Sequence, residues 1–409
     1  MDGRRGVACH GWPYCDGLVT YAFLSSCSRQ TPGTLVRIGD RRPERGVTSP
    51  RGGRCLRCGG LGSPTGTLCT VEHLGLVGLA DSGHDRLFAA LTGMTVGGAS
   101  ERTVGIVKLP DDRLDRLSVM SNTEKIVPAS FEIAYLPGLA PEPGKGLGSR
   151  LLGTLRDCDA ICFVLRSDGV DPEDDLATIE YELVLADLAS VEQRLYKQQR
   201  LAKGDKSLLA EIAVLELSVA ILGEGTPIWR SDLTDEQRVH LAPVFLLTNK
   251  PVLLVVDVPI DRIDEIDSIA APLGEGALGV CTEIEGDPDV ISSDGEERAA
   301  LLADFGVTES VVPRLARSAF LMLGLRTFFT TGEKETRAWI FRAGAKAPEC
   351  SGVIHSDLQR GFIRAEVIHW DELLEIGGWS KAKDVGRLRV EGKEYVVADG
   401  DVMEIRFNV

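Results

Sequence analysis

The chain has 409 residues, enough for two or three domains, and 44% of them are hydrophobic, which is ample for real cores. A formal charge of −16 excludes a protein that coats nucleic acid indiscriminately, and sequence-specific DNA binding is not expected. No stretch is long and apolar enough to span a membrane, so no membrane contact is expected; a cytoplasmic chain and a monomer are further expectations.

The charge is uneven. Residues 1–70 carry ten Arg, no Lys and four acids, a net +6, which leaves −22 on the other 339 residues. The same segment holds six of the ten cysteines and little helical periodicity. Cys55-x-x-Cys58 with Cys69 or His10 suggests zinc, but one CxxC without a second pair at finger spacing is weak support. Leu24-Ser25-Ser26-Cys27 suggests a lipoprotein signal, opposed by Pro13, Asp16 and the brevity of the apolar run. The plain expectation is a disordered extension, or one not made at all if translation starts at Val71. The remaining cysteines, Cys158, Cys162, Cys281 and Cys350, are sparse and suit a reducing compartment.

The first strong element is a buried-strand run over 74–79, a loop, and a helix opening at Arg86. The loop, Gly78-Leu79-Ala80-Asp81-Ser82-Gly83-His84-Asp85, keeps the G-x-x-x-x-G frame of a phosphate loop but has His84 and Asp85 where Lys and Ser or Thr are needed. An aspartate facing a polyanion turns attraction into repulsion. At an effective dielectric near 20, unit charges about 4 Å apart interact by about 4 kcal/mol. Asp85 sits where the first turn of a helix favours an acid, so the protein's own carboxylate is expected to fill part of the anion site. His84 reads either as a pH-dependent phosphate contact or as a solvent-facing loop residue, and the second is expected.

Short apolar runs at 104–109, 131–135 and 160–165 read as further strands of an α/β sheet. From 174 to 222 apolar residues recur at helical spacing on both sides of a break at Gly204-Asp205, the pattern of an antiparallel helical hairpin whose stripe forms its own seam, with coiled-coil character. Strands return at 251–257 and 278–283; 312–329 reads as a helix and turn. Strands are then expected at 338–341, 362–368 and 395–397, with a turn at Ala398-Asp399-Gly400 before the last one. Residues 322–409 carry 13 bases and 14 acids, so they are the part least repelled by RNA.

Several C-terminal motifs carry a family likeness: Arg337-Ala338-Trp339, Gly352-Val353-Ile354-His355-Ser356-Asp357, Arg360-Gly361-Phe362-Ile363-Arg364-Ala365 and Glu391-Gly392-Lys393-Glu394-Tyr395. With Pro110-Asp111-Asp112-Arg113-Leu114-Asp115 and Gly144-Lys145-Gly146-Leu147-Gly148, they make the chain resemble the YchF / Obg-like ATPases from about Leu74 onward. The resemblance implies an α/β fold class: a Ras-like P-loop domain (71–172 and 243–303), an inserted hairpin (173–242) and a β-grasp TGS domain (304–409). It also implies ATP binding in preference to GTP and association with ribosomes. The departures fall in the nucleotide site. The family has Lys-Ser where this chain has His84-Asp85, and its switch threonine aligns with Ala99. Its metal-associated aspartate is Tyr135 here, and its N-x-x-E reads Asp257-Val258-Pro259-Ile260.

Two functions follow as expectations. One is a pseudo-ATPase without cofactor, with Gly78, Ser82, Gly83, His84, Asp85 and Asp257 as a vestigial nucleotide site. It would act as a scaffold that meets a ribosome or protein through the hairpin and the TGS domain. The other is a YchF-type hydrolase using ATP or GTP with Mg²⁺. His355, Asp357, Arg360, Arg364 and Lys393 are candidate partner contacts; for His355 and Asp357 a structural hydrogen bond is the plainer reading, and for the bases a solvated face.

Overall fold

The computed structural model describes residues 73–96, 102–138, 149–293, 295–307 and 309–408. The readings placed on residues 1–70, Val71, Ala99 and 144–148 lie outside them.

Among the described residues twelve strands form two sheets. The first contains β1 (His73–Gly78), β2 (Thr103–Lys108), β4 (Ser130–Tyr135), β5 (Ala160–Arg166), β6 (Val252–Asp257) and β7 (Leu278–Val280), in the order β2-β4-β1-β5-β6-β7. Only β2 runs antiparallel to its neighbour; β1 pairs in parallel with β4 and β5, and β5 with β6. β1 and β5 are apolar runs because helices cover both faces of the sheet. One face packs α1 (His84–Thr92) through Leu87 and Phe88, and the helix Val312–Met322 through Leu315 and Phe320; α2 (Asp112–Ser121) follows β2 in the chain. The other receives Leu155 of α3 (Ser149–Asp157) and Leu176, Ile179 and Leu183 of α4 (Pro172–Leu201).

The expected hairpin is present as α4 and α5 (Leu209–Gly223), with the break where Gly204-Asp205 placed it. Its stripe divides: the first three turns of α4 pack on the sheet, while Val184 and Val191 meet Val214, Leu215 and Leu222 of α5. Asp171 caps α4, accepting from the Glu173 N–H at 3.0 Å, and Pro172 fills the first turn where no donor is needed. Asp171→Ala is expected to lower stability by about 1 kcal/mol, checked by urea melts.

The second sheet has the order β11-β10-β12-β8-β9-β3. It comprises β3 (Ile126–Val127), β8 (Leu325–Thr330), β9 (Thr336–Arg342), β10 (Phe362–His369), β11 (Arg389–Glu391) and β12 (Asp401–Phe407). Two expectations are corrected. The stretch read as helix and turn over 312–329 ends in strand β8, because Leu325 and Phe329 bury on one face and Phe328 on the other, between two neighbouring strands. Residues 395–397 make one isolated bridge, Lys346↔Val396, instead of a strand. The turn before β12 is as expected, with Gly400 at φ +88°, which a side chain would resist. β3, from between β2 and β4, closes the second sheet beside β9, and Arg113 bonds both Asp111 and Asp399. The region before α3 is thereby tied to the C-terminal sheet.

Candidate functional site: the loop between the first strand and the first helix

The loop between β1 and α1 starts from a strand buried on both sides. Gly78 cannot carry a Cβ, which would lie 2.0 Å from Ser82 Oγ and 2.6 Å from the Val164 carbonyl. Gly83 has φ +71°, and a Cβ there would lie 2.2 Å from Asp257 Oδ2. Both glycines are thus needed to bring the loop backbone tight onto β5 and β6.

His84 corrects its expectation. It is 5% exposed, the first residue of α1, and its ring stacks on Tyr135 with centroids 5.0 Å apart and planes 9° apart. Its Nδ1 and the buried Ser82 Oγ are hydrogen-bonded at 2.9 Å. Tyr135 also meets Phe88, at 5.8 Å between centroids. The contact exists because β1 and β4 register Leu76 opposite Tyr135, placing the tyrosine at the mouth of the loop. Burial pushes the His84 pKa below 6.5, so the position that carries the lysine in a working loop holds a neutral ring at pH 7. Asp85 is exposed in the first turn of α1, so the expectation that this carboxylate fills the anion site gives way. The buried side chains beside the loop are those of Ser82, His84 and Tyr135.

Asp257, at the end of β6, accepts from the Thr282 N–H at 2.9 Å and from the Thr282 hydroxyl at 2.8 Å. It therefore ties the β6 end to the start of the short helix Thr282–Glu285 after β7 and packs behind Gly83. Burial raises its pKa from 3.8 to about 6, against the opposing pull of the Thr282 donors and Arg86. Arg166 was not singled out in the sequence. It closes the site's other wall, chelating Asp175 at 2.8 and 2.9 Å and reaching the Ala80 carbonyl at 3.4 Å. Its position at the carboxyl end of a central strand was the one signal available.

The remaining candidates lie in the C-terminal sheet. His355 Nδ1 accepts from the Asp357 N–H at 3.1 Å, capping a short helix, and Asp357 pairs with Arg360. These three sit together as a structural cap. Arg364 is exposed on β10, opposite Arg406 in register, and Lys393 is exposed in the turn after β11.

The sheet order, the glycine frame between β1 and α1 and the loops at the carboxyl ends of β5 and β6 define a P-loop protein of Ras-like type. The family described as YchF-GTPase_C, a protein of unknown function (DUF933), matches residues 325–408. The protein named ribosome-binding ATPase YchF in Bacillus subtilis (strain 168) is 40% identical over 363 residues, covering 82% of this chain and 99% of that one. Its namesake in Escherichia coli O157:H7 is 36% identical over 360 residues with the same coverage. The solved YchF GTPase of Schizosaccharomyces pombe superposes with a TM-score of 0.72 at 26% identity, covering 83% of this chain and 99% of that one. The chain belongs to the YchF family. Among the described residues no helix is long and apolar enough to cross a membrane.

Proposed function

We propose that this chain is a ribosome-binding protein of the YchF type whose phosphate loop is closed by its own side chains. The observation that carries this reading is the His84–Tyr135 stack. Phosphoryl transfer rests on positioning and charge neutralisation, and here the clamp position is a buried neutral ring hydrogen-bonded to Ser82. The metal-hydroxyl position carries the exposed carboxylate of Asp85, which points charge the wrong way for a triphosphate. These residues do not fit Mg²⁺-ATP, and no chemical step is derived through it. The ribosome enters from the relatives, whose names state that they bind it. The Ras-like sheet then serves as a cytoplasmic scaffold, with the helical hairpin and the C-terminal TGS domain as the contacting parts.

The relatives' names also favour a second reading, since they are called ATPases. In that reading Mg²⁺-ATP, preferred over GTP, binds through the main-chain N–H groups of the loop and is hydrolysed, as the relatives' names state of them. Calorimetric titration of the full chain with ATP, GTP and ADP in Mg²⁺ decides. The closed loop gives no saturable heat at millimolar nucleotide; micromolar affinity with turnover selects the ATPase.

A further inference from the structure

Helix α4 is polarised by charge. Residues 172–192 contain seven acids and no Lys or Arg, whereas residues 193–206, the end of α4 and the turn, contain five bases and one acid. The helix macrodipole favours acids at the start and bases at the end, but its reach is about one turn. It accounts for Glu173–Asp175 and Arg200, and leaves Glu180–Glu192, Arg194 and Lys197 unexplained. At about 1.5 Å per residue the 30-residue helix spans about 45 Å, so the bases stand far from the sheet on which its root packs.

Four of the five tip bases are also exposed and outside any ion pair among the described residues. Arg194 bonds Glu211 at 2.8 Å. Lys197, Arg200, Lys203 and Lys206 are exposed and make no ion pair among the described residues. Asp205, the acid in their midst, is engaged by Ser207. Tyr196 is 63% exposed, and the Arg200 guanidinium lies 5.7 Å from its ring centroid. A cationic cluster beside an accessible aromatic ring is the composition that grips a phosphate backbone and stacks a splayed base.

We infer that the hairpin tip is an RNA-docking site, with Lys197, Arg200, Lys203 and Lys206 on phosphates and Tyr196 under an unstacked base. The inference rests on the ribosome-binding reading, in that ribosomal RNA is the target. The acidic root of α4 is repelled by the same polyanion, so the hairpin lands tip first. A polarised lever therefore fixes orientation as well as affinity.

The test is co-sedimentation of the full chain with purified bacterial ribosomes across a salt series, beside fluorescence anisotropy with a 20-nucleotide oligouridine. In the variant Lys197→Gln/Arg200→Gln/Lys203→Gln/Lys206→Gln, affinity falls at least tenfold near 100 mM salt. The slope of log K against log salt becomes shallower by about 3, the sum of four contacts. Tyr196→Ala weakens binding about tenfold with the slope unchanged. A photo-crosslinker at position 203 labels RNA. Equal ribosome affinity and slope in native and quadruple variant overturn the tip site, as does crosslinking to a ribosomal protein alone. If the native chain ignores ribosomes yet holds the oligouridine through the tip, the ribosome reading falls and the tip stands. Circular dichroism of the variants, all changed at exposed positions, excludes misfolding.

Discussion

The variant His84→Lys/Asp85→Ser/Tyr135→Asp gains Mg²⁺-ATP affinity of at least 100-fold over the native chain. Each change removes one obstacle. Lysine at 84 supplies the missing cation, serine at 85 replaces a repulsive carboxylate with a metal-ligating hydroxyl, and aspartate at 135 removes the ring on which His84 stacks. A swing of about 4 kcal/mol for one reversed charge contact, discounted for solvent and relaxation, leaves about 3 kcal/mol, or about two decades. Gly78 and Gly83 stay in place, so the loop backbone is already bent to receive phosphate. Calorimetry reads the affinity directly, and the rise in melting temperature with ATP gives it independently through linkage. If the triple variant binds no better than the native chain, the loop is closed by something other than these three side chains. If the native chain binds equally well, the closed-loop reading fails.

Much of this fold was legible because its signals are local. A continuous apolar run before G-x-x-x-x-G gives β1 and α1, and helical spacing broken by Gly-Asp gives α4 and α5. What escaped was set by partners distant in sequence. His84 reads as a solvent-facing loop residue on polarity alone; its burial depends on Tyr135, which reaches the loop only after β4 aligns Tyr135 with Leu76. β8 follows a helix after only two residues, so its short apolar run is absorbed into the helical pattern. β3 has two residues and no periodicity of its own; pairing with β9 makes it a strand. Arg166 looks like the polar end of a strand until Asp175, in the first turn of α4, is seen to chelate it.

Asp257→Asn is expected to stabilise the protein at pH 7.5 and to lose that advantage in acid. The carboxylate is held against the loop at Gly83 and the Thr282 donors, and burial lifts its pKa from 3.8 to about 6. A folded-state pKa above the unfolded one means that the fold prefers the protonated acid. Its contribution is therefore fully present below pH 3.8 and is lost as pH rises through about 6. At neutral pH the ionised group costs up to about 3 kcal/mol relative to the neutral one. Asparagine stays neutral throughout and still accepts from the Thr282 N–H, while its amide can donate to the Thr282 hydroxyl. After allowance for the altered second hydrogen bond, a gain of about 1–2 kcal/mol at pH 7.5 remains. Over a chain this long that is a rise of several degrees in melting temperature. Melts of both proteins from pH 4 to 8 converge at the acid end if burial of the charge is the cause. A constant offset at every pH would assign the effect to packing against Gly83 instead. Because the Asp257 carboxylate lies directly behind Gly83 while it bonds Thr282, the same titration reports on the support behind that glycine.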